Sequence, residues 1–146
     1  MQKVIRINDL SNAEQLLWNH NKEIGRKLSD EELQVGIRKF IDKGEVIGFV
    51  ENERITAMLV LYCYNFDTLQ AYICNVYVLD EYRGKHLSEC MIEKAIEICR
   101  SKGFKTICLH VSESNIPAVK TYKKLGFVFT DGFRGTDREM ILRLKR

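Results

Sequence analysis

The stretch from Gln70 to Val111 limits the fold more than any other part of this chain. "QAYICNVYVL" (70–79) is aromatic and β-branched throughout and reads as a strand. A short basic turn, "YRGKHLS" (82–88), follows it, and Leu87, Met91, Ala95, Ile98 and Cys99 then mark the apolar stripe of a helix ending near Gly103. "KTICLHV" (105–111) is the next strand. Strand, turn, helix and strand in that order form the βαβ setting in which a helix N-terminus faces a phosphate. Arg83, Gly84, Lys85 and the backbone amides through Ser88 would bring donors and positive charge to such a group. Taken alone, the same residues fit a solvated basic turn that caps a helix. Two other phosphate-binding devices fail on spacing, because the chain has neither G-x-x-x-x-G-K-S/T nor G-x-G-x-x-G. One position in the turn is unusual, since His86 stands where such loops commonly carry a second glycine. Histidine is among the few residues enriched in the left-handed region, so the turn can keep its shape while the amide of His86 serves the phosphate.

The flanking segments complete a single domain over residues 1–146, long enough to bury its own core. "KVIRIN" (3–8) alternates like a strand, and Ser11 is placed to cap a helix carrying Leu16, Leu17 and Ile24. Ser29 with Glu32 fits a capping box ahead of a second helix through Leu33, Ile37, Phe40 and Ile41. "EVIGFVENERITAMLVLYCY" (45–64) reads as two strands around a polar turn at Glu51-Asn52-Glu53. "NIPAVKTYKKLG" (115–126) is a helix with Pro117 in its first turn and Gly126 at its end. The tail, 127–144, supplies two strands around a Gly-containing loop. The expected class is α/β, a mixed and mostly antiparallel sheet with helices on both faces.

Charge and cysteine content narrow the function. A net charge of +3, from 23 basic and 20 acidic residues, is far from the basic field of a protein that coats nucleic acid. The five cysteines, at 63, 74, 90, 99 and 108, contain no C-x-x-C pair and sit among apolar neighbours, so they read as reduced, buried thiols of a cytoplasmic protein. No apolar run approaches the roughly 20 residues that cross a bilayer, and no cluster suggests a metal. A homodimer is left open.

The run from Tyr72 to Phe127 resembles the GNAT superfamily of acetyl-CoA-dependent N-acetyltransferases, through two blocks in the family's order. "VYVLDEYRGKHLSECMIEKAIEICRSKGF" (76–104) looks like the family's strand, pyrophosphate turn and helix, usually written R/Q-x-x-G-x-G/A, and "LHVSESNIPAVKTYKKLGF" (109–127) matches its N-x-x-A-x-x-x-Y-x-x-x-G-F pattern. The resemblance implies that the backbone of Val76, Tyr77 and Val78 pairs with the pantetheine arm of acetyl-CoA. It implies that Arg83, Gly84, Lys85, His86, Leu87 and Ser88 wrap the pyrophosphate, with His86 and Ser88 departing from the usual residues. Asn115 falls on the family's cofactor-contacting asparagine, and Tyr122 on the tyrosine that protonates the leaving thiolate. His110 stands five residues before that asparagine, where amino-terminal acetyltransferases of this superfamily have a glutamate base.

The chemistry asks for the same roles. An amine attacking a thioester must be neutral, the carbonyl oxygen needs donors as charge develops on it, and the departing thiolate needs a proton. Tyr122 suits the last task, and the imidazole of His110 can accept the ammonium proton directly or through water. Each also has a structural reading, as a half-buried helix residue and as a core or edge residue of a strand. The expected function is direct acetyl transfer to a primary amine of a small molecule or peptide. A catalytically idle acyl-CoA binder is the alternative, and an acyl-enzyme on Cys108, which shares a strand face with His110, is a minor route. Trp18, His20, Tyr64 and Asp67 are candidates to line the acceptor pocket, although no motif names the acceptor.

Overall fold

The computed structural model describes residues 4–7 and 42–144 continuously, together with positions 29, 31, 32, 35 and 38. Its seven strands form one sheet in the order β1-β2-β3-β4-β5-β7-β6. They are β1 (Ile5–Arg6), β2 (Glu45–Glu51), β3 (Arg54–Tyr62), β4 (Gln70–Val78), β5 (Thr106–Val111), β6 (Val128–Arg134) and β7 (Asp137–Arg143), with helices α1 (Leu87–Ser101) and α2 (Ile116–Lys124). All neighbouring pairs are antiparallel except β4 with β5. This is the mixed, mostly antiparallel α/β sheet expected from the sequence.

Local chemistry explains the boundaries. The β2–β3 hairpin turns on Asn52 and Glu53, both at positive φ (51° and 63°), as a two-residue turn between right-twisted strands requires. The capping box forms: the Glu32 amide donates to Ser29 Oγ at 3.2 Å and the Ser29 amide donates to Glu32 Oε1 at 3.3 Å. Pro117 lies in the first turn of α2, and Gly126 follows its end at φ 104°. The helix expected after Ser11 lies outside the described residues.

β3 is the central strand of the core, and its alternation separates two apolar clusters. Ala57, Leu59 and Leu61 face the larger one, shared with Ile73, Met91, Ile92, Ile107, Leu109, Tyr122, Phe127 and Met140. Met58 and Val60 face the smaller one, with Ile7, Val46 and Tyr77. Both described helices pack into the larger cluster. The helices expected on the opposite face belong to a segment described only at scattered positions.

The five cysteines do not share one environment. Cys63, Cys99 and Cys108 are buried, but Cys74 is half-buried and Cys90 is exposed. The expectation of five buried thiols fails at Cys90 because the apolar stripe of α1 passes through Met91 and Ile92, leaving position 90 on the solvent side.

The parallel pair β4–β5 positions the site. Pairing joins Gln70 to Thr106, Ala71 to Ile107 and Tyr72 to Cys108, then stops, although both strands continue. The cause lies in β4. Asn75 adopts φ 52°, and against β3 the register passes from Met58↔Tyr77 to Val60↔Cys74, so β4 carries one extra residue. Such a bulge bends the strand and carries Val76–Val78 away from β5, which opens a wedge in the sheet.

Candidate active site

The wedge continues into a cleft of about 460 Å³ bounded by the bulged end of β4, the turn after it, the first turn of α1 and one face of α2. Val76, Tyr77, Val78, Arg83, Gly84, His86, Leu87, Ser88, Asn115 and Tyr122 all line it. Of the cofactor-binding and catalytic candidates, Lys85 and His110 do not.

The turn is built from a 3₁₀ segment, Asp80–Tyr82, closed by the Tyr82 amide donating to Leu79 O at 2.9 Å. Gly84 takes φ 79° and His86 takes φ 61°, ψ 26°, so the imidazole-bearing residue does adopt the left-handed conformation. His86 occupies the N-cap position of α1, yet no side chain caps that end. The N–H groups of a helix's first turn have no intrahelical acceptor, and their partial positive charge makes them an anion site when a ligand supplies the oxygens. Nothing stands within 4 Å of where a Cβ on Gly84 would lie. Gly84 therefore supplies conformation rather than relief from crowding.

The side chains of the turn are placed less directly than the sequence suggests. Arg83 folds back: its Nε donates to Val78 O at 2.9 Å, its guanidinium pairs with Asp80 at 2.6 Å and lies over the Tyr77 ring. It thereby braces the end of β4. Lys85 sits over the Tyr82 ring, 5.2 Å from its centroid. The His86 side chain, 77% exposed, has Nδ1 3.6 Å from Glu89 Oε2. Glu89 also lines the cleft and is paired with Lys124 at 3.1 Å, a contact that ties the start of α1 to the end of α2. Lys124 thus neutralises the carboxylate nearest the start of α1.

Because the backbone shape resides in a conformation glycine adopts freely, and the imidazole points largely to solvent, His86→Gly is expected to leave acetyl-CoA affinity within about tenfold, or 1.4 kcal/mol. Isothermal titration calorimetry measures it, and a larger loss would give the ring a binding role of its own.

At the other end of the cleft, α2 presents Tyr122. Its side chain is 7% exposed and packs against Phe127 at 6.0 Å between ring centroids. Its hydroxyl makes no hydrogen bond among the described residues, and burial pushes the phenol up to about 12. The group therefore keeps its proton across the physiological range. Asn115 caps α2 through Oδ1, which accepts from the Ala118 amide at 3.4 Å. Its side-chain NH₂ is what remains for a ligand.

His110 belongs to the opposite face. Leu109 and Val111 enter the larger core with Tyr122, so alternation along β5 turns His110 the other way. It lies two residues beyond the last β4–β5 pair, at the mouth of the wedge. Its Nδ1 is 2.8 Å from the Tyr72 hydroxyl, its Nε2 is 4.0 Å from Glu139, and Arg134 donates to the same Tyr72 oxygen at 2.8 Å. Sequence reading missed Tyr72, Arg134, Glu139 and Glu89. Tyr72 and Glu139 sit in strands where an aromatic and a surface carboxylate are unremarkable, and only cross-strand register joins them to His110.

Tyr64, which packs edge-on against Tyr62, and Asp67, on an exposed turn, do not line the cleft; Trp18 and His20 are outside the described residues. Cys108 is buried and accepts from the Gln70 side-chain amide, and burial pushes its thiol up. Among the described residues no group of three or more His, Cys, Asp or Glu is placed to hold a metal ion, and no helix is long and apolar enough to cross a membrane.

The sheet is thus split between β4 and β5, and the first turn of α1 borders the cleft beside the split. Residues 8–127 match the model of the Acetyltransferase (GNAT) family, and the chain belongs to it. A Bacillus subtilis protein assigned as a ribosomal protein bS18-alanine N-acetyltransferase is 41% identical over 56 residues, 38% of this chain and 37% of its own length. The N-alpha-acetyltransferase 30 of Schizosaccharomyces pombe is 24% identical over 108 residues, 71% of this chain and 72% of that protein. Among solved structures, yncA of Salmonella typhimurium with its cofactor acetyl-CoA superposes with a TM-score of 0.75 at 17% identity, covering 100% of this chain and 95% of that one. The chain is an acetyltransferase of this family.

Proposed function

We propose that this enzyme transfers the acetyl group of acetyl-CoA directly to a primary amine, and that the amine is the N-terminus of a polypeptide. The observation that carries the transfer reaction is the joining, in one cleft, of a helix start whose N-cap side chain makes no capping bond, behind a left-handed turn, and a buried phenol with no hydrogen bond among the described residues. The polypeptide acceptor is supported by the two curated relatives, one named for N-acetylation of an alanine of ribosomal protein bS18 and the other for N-alpha-acetylation.

The residues fit acetyl-CoA on structural grounds. The amides from Gly84 to Ser88 would meet its pyrophosphate, and the edge of β4 at Val76–Val78, freed from β5, would offer backbone hydrogen bonds to an amide-containing arm. Acetyl-CoA supplies an acyl thioester. The chain's own groups do the rest. Backbone N–H groups at the bulge of β4 would oppose charge developing on the carbonyl oxygen. Tyr122 donates a hydrogen bond toward the leaving sulfur. His110, at the mouth of the wedge on the far face, takes up the proton that the acceptor ammonium must lose before it can attack. The buried, amide-bonded thiol of Cys108 is a poor nucleophile beside a route that needs none.

A thiol-release assay with a panel of peptides, polyamines and amino sugars tests this reading. Peptides with a free N-terminus are expected to turn over best. His110→Ala should lower turnover by about a hundredfold while leaving acetyl-CoA affinity unchanged. Acetyl-CoA binding without release of thiol to any amine would instead mark a catalytically idle binder.

A further inference from the structure

A glutamate at the third position of a helix can reach back to the N-cap amide and satisfy it. Glu32 does so three residues after Ser29, accepting from the Ser29 amide at 3.3 Å and from the Ser29 hydroxyl at 3.0 Å. Glu89 holds the same position in α1, three residues after the N-cap residue His86. There the reach-back is not made. Both Glu89 oxygens face Lys124 Nζ instead, Oε1 at 3.1 Å and Oε2 at 3.2 Å, and the His86 amide has no acceptor among the described residues. The Glu89 side chain is 19% exposed, against 64% for Lys124, and it lines the cleft. Each residue suits its own helix end, an acid in the first turn of α1 and a cation on the last residue of α2. An exposed ion pair contributes little stability by itself. This one also sets the direction of a carboxylate that borders the expected phosphate site.

We infer that Lys124 is a positioning residue for acetyl-CoA: by holding Glu89 toward α2 it keeps the start of α1 open, so that the His86 amide serves the pyrophosphate and not an internal carboxylate. The inference rests on the acetyl-CoA reading of this cleft given above. Without the Lys124 ammonium, Glu89 is free to close the capping box on His86. It then opposes a phosphate in two ways, by occupying a donor and by charge repulsion. The other titratable group beside this carboxylate is the His86 imidazole, whose Nδ1 stands 3.6 Å from Glu89 Oε2 on a largely exposed side chain. While neutral it does not replace the ammonium.

Acetyl-CoA affinity, measured by calorimetry with no acceptor amine present, is expected to fall about tenfold or more in Lys124→Met. Lys124→Arg keeps a cation that pairs with a carboxylate and should stay within about threefold of the parent. Adding Glu89→Ala to Lys124→Met should also return affinity to within about threefold of the parent, because alanine has neither the charge nor the reach. An ion pair with a structural role alone predicts the opposite, a double variant no better than Lys124→Met. Amide hydrogen exchange followed by NMR reads the capping box without any ligand. The His86 amide should exchange more slowly in Lys124→Met than in the parent, and Glu89→Ala should reverse that protection. Unchanged affinity in a Lys124→Met protein that melts like the parent, a loss that Glu89→Ala fails to restore, or a His86 amide no better protected would overturn the inference. A parent that binds no acetyl-CoA would sink the cofactor reading instead, while the exchange rates still show where Glu89 turns, so the two failures are separable.

Discussion

Tyr122→Phe is expected to lower turnover by about 10²–10⁴-fold, the range associated with losing a positioned acid, while acetyl-CoA affinity changes little. The ring and its contact with Phe127 remain in the variant, and the hydroxyl makes no hydrogen bond among the described residues. A phenol at about 12 is a weak acid. Full proton transfer to a thiolate whose conjugate acid lies near 8.5 would be uphill by roughly 5 kcal/mol. On the proposed reading, Tyr122 therefore acts first as a hydrogen-bond donor that strengthens as charge grows on sulfur, an interaction present in the transition state and weak before it. Since burial raises its ionisation, the donor form is complete at every pH below about 10. No limb of the pH–rate profile in the neutral range belongs to it. Steady-state kinetics of the variant, with affinity measured separately, give the decisive pair of numbers. A loss confined to KM would place Tyr122 in binding instead.

Ser88→Asp should weaken acetyl-CoA binding by about a hundredfold or more. Ser88 lies in the first turn of α1 and lines the cleft where the pyrophosphate is expected. A carboxylate about 5 Å from a phosphate, at the effective dielectric of a partly exposed site, costs about 3 kcal/mol. Lys124 offers no relief, because it already pairs with Glu89. The variant also separates binding from folding. An aspartate in the first turn of a helix interacts favourably with the helix dipole, so thermal stability should hold or rise while affinity falls. Calorimetry beside a thermal melt would show both effects. Unchanged affinity in Ser88→Asp would mean that this turn is not the cradle.

The legible parts of the fold were those set by local chemistry. The capping box at Ser29, the polar turn at Asn52-Glu53, Pro117 in the first turn of α2 and the glycines after both helices act within a few residues and can be read from them. The left-handed conformation of His86 was legible for the same reason, because histidine tolerates that region. The wedge was not. It depends on Asn75 bulging within a strand that otherwise reads as regular, and on where β4 stops pairing with β5, which no local pattern encodes. The side-chain partners of the turn's cations were not legible either: Arg83 pairs with Asp80 beside the Tyr77 ring, and Lys85 lies over the Tyr82 ring. His110 was identified as a base candidate, yet its partners come from three other strands, 38, 24 and 29 residues away for Tyr72, Arg134 and Glu139, and only the sheet register assembles them.

The most direct test of the whole account follows the acetyl group itself. The purified protein is mixed with isotopically labelled acetyl-CoA and a peptide that bears both a free N-terminus and a lysine, and tandem mass spectrometry locates the label. Label on the N-terminal amine, none retained on the protein before acceptor is added, and its loss in Tyr122→Phe are the predicted results. Label held on Cys108, or acetyl-CoA bound with no amine acetylated, would contradict direct transfer through this cleft.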